Sequence, residues 1–133
     1  MNATPATAAL VELQSPWKFE ESLERIQRAI VGKGLLVMAT IDHAAMAKAA
    51  GLAMDPATVV IYGNPRGGTP LMNAAPAAAL DLPLRVLVRQ THDGRTLIAF
   101  HPIAPLMVAA GVPEDLARSL QKAQYLLADA FTD

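Results

Sequence analysis

Along this chain, segments with apolar residues at helical spacing alternate with short, continuous apolar runs. This order predicts helices and strands that follow one another in turn. Phe19, Leu23, Ile26 and Ile30 recur at helical spacing and predict a helix over 19–31 with one buried stripe. Short apolar runs predict the strands, and the last two of these, separated by the turn Thr91-His92-Asp93-Gly94, form the clearest hairpin. The five predicted strands cover residues 7–14, 35–41, 58–62, 84–90 and 95–101.

Capping residues and helix breakers predict the remaining helices. Asp42 is a suitable N-cap for a helix over 43–50 that Gly51 ends, and Thr69-Pro70 suits the start of a helix over 70–75. Pro102 opens a C-terminal helical hairpin with a first helix over 103–110. The second helix begins after Pro113, and its predicted buried stripe is Leu116, Leu120, Ala123 and Leu127.

The order of these elements predicts the fold class. A strand, a helix and a second strand at this spacing suggest a right-handed parallel crossover near the N-terminus. With the later hairpin, this gives an α+β fold with a mixed sheet of about five strands and a C-terminal helical hairpin. A length of 133 residues suits a single domain over 1–133, with residues 1–6 as a loose tail.

Composition excludes several classes of function. The net charge of −1 and the pI of about 6.3 provide no field that would attract nucleic acid or an anionic membrane. The absence of cysteine removes disulfides, thiolate nucleophiles and cysteine metal sites. No apolar run approaches the ~20 residues that span a bilayer, and residues 1–13 lack the pattern of a signal peptide. We therefore expect a cytoplasmic protein.

A glycine-rich segment, Tyr62 to Met72, follows the third predicted strand and is the first candidate site. Its glycines have the spacing of a Walker phosphate loop, but Thr69 stands in the lysine position and Pro65 removes an amide. Two interpretations remain. The glycines supply positive φ in a structural turn, or Arg66, the amides of Gly67 and Gly68 and the next helix N-terminus hold a small anion.

Asp42-His43 lies at another strand-to-helix junction and is the second candidate site. If the second and third strands are neighbours, we expect it to share one sheet edge with the glycine-rich segment, and His43 becomes a candidate acid or base. Alternatively, Asp42 only caps the helix and His43 fills its first turn, since adjacent helical residues do not face each other. No histidine spacing predicts a metal site, and no motif identifies a cofactor or a nucleophile.

Several blocks resemble one family. Ile41-Asp42-His43-Ala44-Ala45, then Tyr62-Gly63-Asn64-Pro65 and Gly68-Thr69-Pro70-Leu71-Met72, then Ala79 to Val88, are similar in order and spacing to the blocks of the domain of unknown function 302 family. The resemblance implies a two-layer domain with helices packed on one face of a mixed sheet, and a homodimer. It implies no activity and no catalytic residue. Phe100-His101 departs from the family, which usually has a tyrosine near this point.

Together these features favour a homodimeric binding or sensing module for a small, anionic ligand. The alternatives are a small enzyme that uses His43 as acid or base, and a structural dimer without a ligand. The predicted ligand site consists of Asp42, His43, Asn64, Arg66, Gly67, Gly68 and Thr69.

Overall fold

The computed structural model describes residues 9–132, so the predicted tail over 1–6 and the first two residues of the predicted strand 7–14 lie outside the described residues. The elements follow the predicted order closely. The strands are β1 (Val11–Gln14), β2 (Leu36–Asp42), β3 (Ala57–Gly63), β4 (Leu84–Gln90) and β5 (Thr96–Phe100). The helices are α1 (Phe19–Gly32), α2 (His43–Ala49), α3 (Pro65–Ala74), α4 (Ala104–Ala109) and α5 (Glu114–Asp129), with a 3₁₀ helix over Pro76–Leu80.

The five strands form one sheet in the order β1-β5-β4-β3-β2, and every neighbouring pair is antiparallel. The α+β class and the five strands are confirmed, but the mixed sheet is wrong, because every neighbouring pair is antiparallel. The predicted parallel crossover through α1 does join two strands of the same direction, β1 and β2, but these strands are not neighbours. β1 and β2 run in the same direction at opposite edges of the sheet, so they do not pair.

The two edges of the sheet lie four strand spacings apart, about 19 Å at about 4.8 Å each. The connection through α1, which packs against β2, β3 and β4, carries the chain from one edge of the sheet to the other. β2 to β5 then return towards β1 through successive antiparallel pairs.

One face of the sheet forms the core with the helices. Along β3 the buried residues are Thr58, Val60 and Tyr62, while the alternate residues remain half-buried. Ile26 and Ile30 of α1 are fully buried in the same apolar cluster. This alternation is the period of two that an antiparallel sheet produces when helices cover one face.

The predicted C-terminal helical hairpin is present, and polar side chains fasten its second helix to its first. Gln124 of α5 accepts a hydrogen bond from the Ile103 amide and donates one to the His101 carbonyl, both at 3.0 Å. The predicted stripe of α5 is partly wrong, because Leu116 is 42% exposed while Ala117 and Gln124 are buried. Leu127 is buried as expected.

Candidate functional site

Three strand ends converge at one end of the sheet. Gly63, the last residue of β3, lies opposite Leu36, the first residue of β2, and Tyr62 lies opposite Leu84, the first residue of β4. The chain leaves β3 into α3 here, and α5 lies across the opening. These elements line a half-open cavity of about 420 Å³, which we call the strand-end cavity. It is lined by Leu35, Met38, Tyr62, Gly63, Asn64, Pro65, Gly67, Gly68, Thr69, Met72, Leu82, Pro83, Leu84, Leu120, Ala123 and Leu127.

The lining of the strand-end cavity is almost entirely apolar. Its polar side chains are those of Tyr62, Asn64 and Thr69, and no lining residue, all of which lie within residues 9–132, carries a charge. Protein pockets that bind small molecules span about 300–1,000 Å³ and combine apolar walls with a few polar groups. The cavity therefore has the size and the chemistry to hold a small neutral molecule.

α3 begins five residues earlier than its predicted start at Pro70. The Asn64 side chain accepts a hydrogen bond from the Arg66 amide at 3.0 Å, and Pro65 occupies the first turn of the helix. Asn is among the strongest N-caps, and the fixed φ of proline suits the first helical position. Pro70 lies inside the helix, so the assignment of Thr69-Pro70 to the helix start is wrong.

This earlier start changes the role of the two glycines. The amides of Gly67 and Gly68 both donate to the Asn64 carbonyl, at 3.0 and 2.9 Å, so neither is free for an anion. Positive φ occurs at Gly34, Gly51, Gly94 and Gly111 and not at Gly67 or Gly68. The structural turn with positive φ is therefore wrong. Gly67, Gly68 and Thr69 line the cavity, whereas Arg66 is exposed and lies outside the lining.

Asp42 and His43 lie at the opposite end of the sheet. Asp42 pairs with Thr58 at the beginning of β3, six residues along β2 from Leu36, a separation of about 20 Å at 3.3–3.4 Å per residue. Because β2 and β3 are antiparallel, the expected common edge with the glycine-rich segment is wrong. The Asp42 side chain accepts a hydrogen bond from the Ala45 amide at 2.9 Å, which is the predicted N-cap, and His43 is exposed.

Tyr62 is the one lining residue with an ionisable side chain, and it was not among the predicted site residues. It is 1% exposed, and burial raises the pKa of its hydroxyl well above the usual value of 10.0. The pattern of β3 predicts only that Tyr62 faces the core. Nothing local indicates that Leu120 and Ala123, which are nearly sixty residues further along the chain, complete the same cavity.

The described residues also bear on metal binding and on membrane insertion. Across residues 9–132, no three His, Asp or Glu side chains are grouped so that they could hold a metal ion. Over the same part of the chain, every helix is too short or too polar to cross a bilayer.

The fold has a solved counterpart. The crystal structure of an uncharacterised DUF302 protein from Bacillus stearothermophilus superposes with a TM-score of 0.82 and covers 91% of this chain and 96% of its own. The two sequences are 18% identical, so this similarity concerns the fold alone.

The curated relatives are longer proteins. The chain is 33% identical over 112 residues to the fluoride-specific ion channels FluC 1 of Brucella suis biovar 1 (strain 1330) and FluC 1 of Brucella abortus biovar 1 (strain 9-941). The matches cover 83% of this chain but only 44% and 42% of those proteins, so the chain spans less than half of their length.

The family model for the domain of unknown function DUF302 matches residues 11–133, which include every strand and helix described above. The blocks of this sequence that resemble the family contain the N-cap at Asp42, the β3–α3 junction and most of β4. The chain belongs to the DUF302 family.

Proposed function

We propose that this protein is a binding module for a small neutral, mainly apolar ligand held in the strand-end cavity. The observation that supports this most directly is a cavity of about 420 Å³ without a charged lining residue. Transfer of an ion into such surroundings is costly unless a partner charge is present. An apolar molecule instead gains about 25 cal/mol for each Å² that leaves water.

The proposed site retains part of the predicted set and omits the rest. Asn64, Gly67, Gly68 and Thr69 belong to the lining, where Gly67 and Gly68 present bare backbone and Thr69 a short side chain. Asp42, His43 and Arg66 lie outside it. We therefore propose a neutral ligand in place of the anionic ligand that the sequence predicted.

A second candidate is a role in fluoride handling, which the names of the Brucella relatives favour. In it, Arg66 at the exposed start of α3 would attract the anion. The occupied amides of Gly67 and Gly68 count against it. Catalysis by His43 is the weakest alternative, because this exposed side chain has only helix-capping Asp42 beside it in the sequence.

The cavity proposal is tested by filling the cavity from α5. Ala123→Phe places a large side chain against the lining, while Ala49→Phe makes the same change on α2 at the distant end of the sheet. We expect Ala49→Phe to bind the neutral dye N-phenylnaphthylamine as the unmodified protein does. We expect Ala123→Phe to weaken binding at least tenfold, measured by fluorescence titration.

The same titration separates the alternatives. If the dye does not bind, or if both variants bind it equally well, the cavity is not the site. Thermal melting with sodium fluoride against sodium chloride tests the second candidate. A stabilisation by fluoride alone that Arg66→Ala removes would favour the anion site over the cavity.

A further inference from the structure

The Tyr62 hydroxyl is a hydrogen-bonding group without a partner among the described residues, 9–132. Among residues 9–132, the only side-chain nitrogen or oxygen that is both fully buried and unpartnered is Arg25 Nε. The Tyr62 oxygen forms no hydrogen bond within the same residues, and the residue as a whole is 1% exposed. Tyr62 is also one of the residues that line the strand-end cavity.

The backbone of Tyr62 is held on both sides. It pairs with Val37 of β2 and with Leu84 of β4 in the interior of the sheet. A central strand residue of this kind presents its side chain in one direction. The hydroxyl is therefore positioned before any ligand arrives, which reduces the entropy lost on binding.

The chemistry of this group limits what it recognises. Burial raises the pKa of the hydroxyl, so it remains a protonated donor across the physiological range. An acceptor with a full charge would enter a lining that supplies no compensating cation. A neutral oxygen, as in a ketone, ester, amide or ether, satisfies the donor without that cost.

We infer that the Tyr62 hydroxyl is the specificity-determining group of the cavity and selects neutral apolar ligands that carry a carbonyl or ether oxygen. This inference rests on the proposed function, since it names the class of ligand that the same site binds. The apolar walls contribute affinity for any molecule of suitable shape. Tyr62 distinguishes a molecule that offers an acceptor from its hydrocarbon counterpart.

Two probes of matched shape test the inference. Acetylnaphthalene carries a carbonyl oxygen, and isopropenylnaphthalene replaces that oxygen with a methylene group. Both are measured by displacement of N-phenylnaphthylamine from the unmodified protein, from Tyr62→Phe, and from Thr69→Val as a control for the other hydroxyl in the lining. We expect Tyr62→Phe to weaken the binding of acetylnaphthalene by about three- to tenfold, the value of one net hydrogen bond. The affinity for isopropenylnaphthalene should be unchanged.

The carbonyl stretch of bound acetylnaphthalene provides a second measurement that needs no comparison of stabilities. We expect it at lower frequency in the unmodified protein than in hydrocarbon solvent, and at the hydrocarbon value in Tyr62→Phe. If Tyr62→Phe does not fold, the low frequency in the unmodified protein and its persistence in Thr69→Val support the inference. Loss of the shift in Thr69→Val would overturn it.

The same measurements distinguish a failure of the Tyr62 inference from a failure of the proposed binding function. If both probes bind and Tyr62→Phe affects them equally or not at all, the role of Tyr62 is overturned and the binding module stands. If neither probe displaces the dye and Ala123→Phe does not alter dye binding, the proposed function fails together with the inference.

Discussion

Glycines with open space around them have opposite roles at different places in this chain. A Cβ atom added to Gly67 or to Gly94 would meet no atom within 4 Å. Gly94 has a φ of 94°, in the region that side chains avoid, while Gly67 lies in α3 and has no positive φ. Backbone conformation, rather than space, therefore decides which of the two requires glycine.

This difference predicts opposite effects of the same substitution. Gly67→Ala removes a flexible residue from a helix and should stabilise the protein by about 0.5–1 kcal/mol. Gly94→Ala forces a side chain into a left-handed conformation and should cost about 1–2 kcal/mol. Urea denaturation of the two variants measures both values. A loss of stability in Gly67→Ala would contradict the helical start at Asn64.

At the scale of elements, buried polar side chains hold the C-terminal hairpin where it closes the cavity. Gln124 is 3% exposed and satisfies the His101 carbonyl and the Ile103 amide together. Gln121, on the turn before it, accepts one hydrogen bond from the Ala104 amide at 2.9 Å and is half-buried. These bonds fasten α5 to residues 101–104, which follow β5. They thereby fix the position of Leu120 and Ala123, the residues of α5 that line the cavity.

Replacing the two glutamines should therefore have unequal effects. Gln124→Ala leaves two backbone groups unpaired and should lower the free energy of unfolding by about 2–6 kcal/mol, since each unsatisfied group costs about 1–3 kcal/mol. Gln121→Ala removes a single bond that water can replace and should cost about 1 kcal/mol or less. Equal losses in chemical denaturation would show that Gln124 does not fasten the hairpin.

At the scale of the whole molecule, the two edges of the sheet differ. β1 is four residues long, whereas β2 is seven residues long and exposes Leu36 and Met38 at 54% and 41%. A long edge strand with exposed apolar side chains is a surface that readily pairs with another strand. We propose this edge of β2 as the place where two copies of the chain meet.

Sedimentation velocity tests the homodimer. We expect a mass of about 28 kDa, twice the 14.1 kDa of the chain, for the unmodified protein at micromolar concentration. Thr40→Lys places a charge on the exposed edge of β2 and should shift the protein to the monomer mass, because edge charges oppose strand pairing. Gln14→Lys makes the corresponding change on β1 and should leave the dimer intact. A monomeric unmodified protein would overturn the proposal.

Local patterns in the sequence predicted most elements of this fold. Of the predicted stripe, Phe19, Ile26 and Ile30 are buried and Leu23 is partly buried. β4 occupies the predicted residues 84–90. Gly51, which was predicted to end the helix over 43–50, directly follows the C-cap Ala50 of α2 and has a φ of 79°. These features depend on residues within a few positions of one another, so the periodicity of the sequence carries the information.

The candidate site was predictable only in part. The glycine-rich segment after β3 was predicted from its glycines and its position at a strand end, and four of its predicted site residues line the strand-end cavity that we propose as the site. The prediction that this segment shares a sheet edge with Asp42-His43 was wrong. The residues that follow two neighbouring strands lie at the same end of a sheet if the strands are parallel and at opposite ends if they are antiparallel. The sequence within β2 and β3 does not distinguish these two cases.

The order of hydrophobic and polar residues is sufficient for the strands, the helices and the α+β class, since each follows from the burial of one face over a few turns or pleats. Strand order, and with it the strand-end cavity, arises from contacts between residues far apart in the sequence. These contacts bring together four residues of the cavity lining, Leu35, Tyr62, Leu84 and Leu127. They meet only because β3 lies between β2 and β4 in the sheet and α5 returns to the ends of these strands. Packing energy summed over the entire chain selects that arrangement, and no local pattern encodes it.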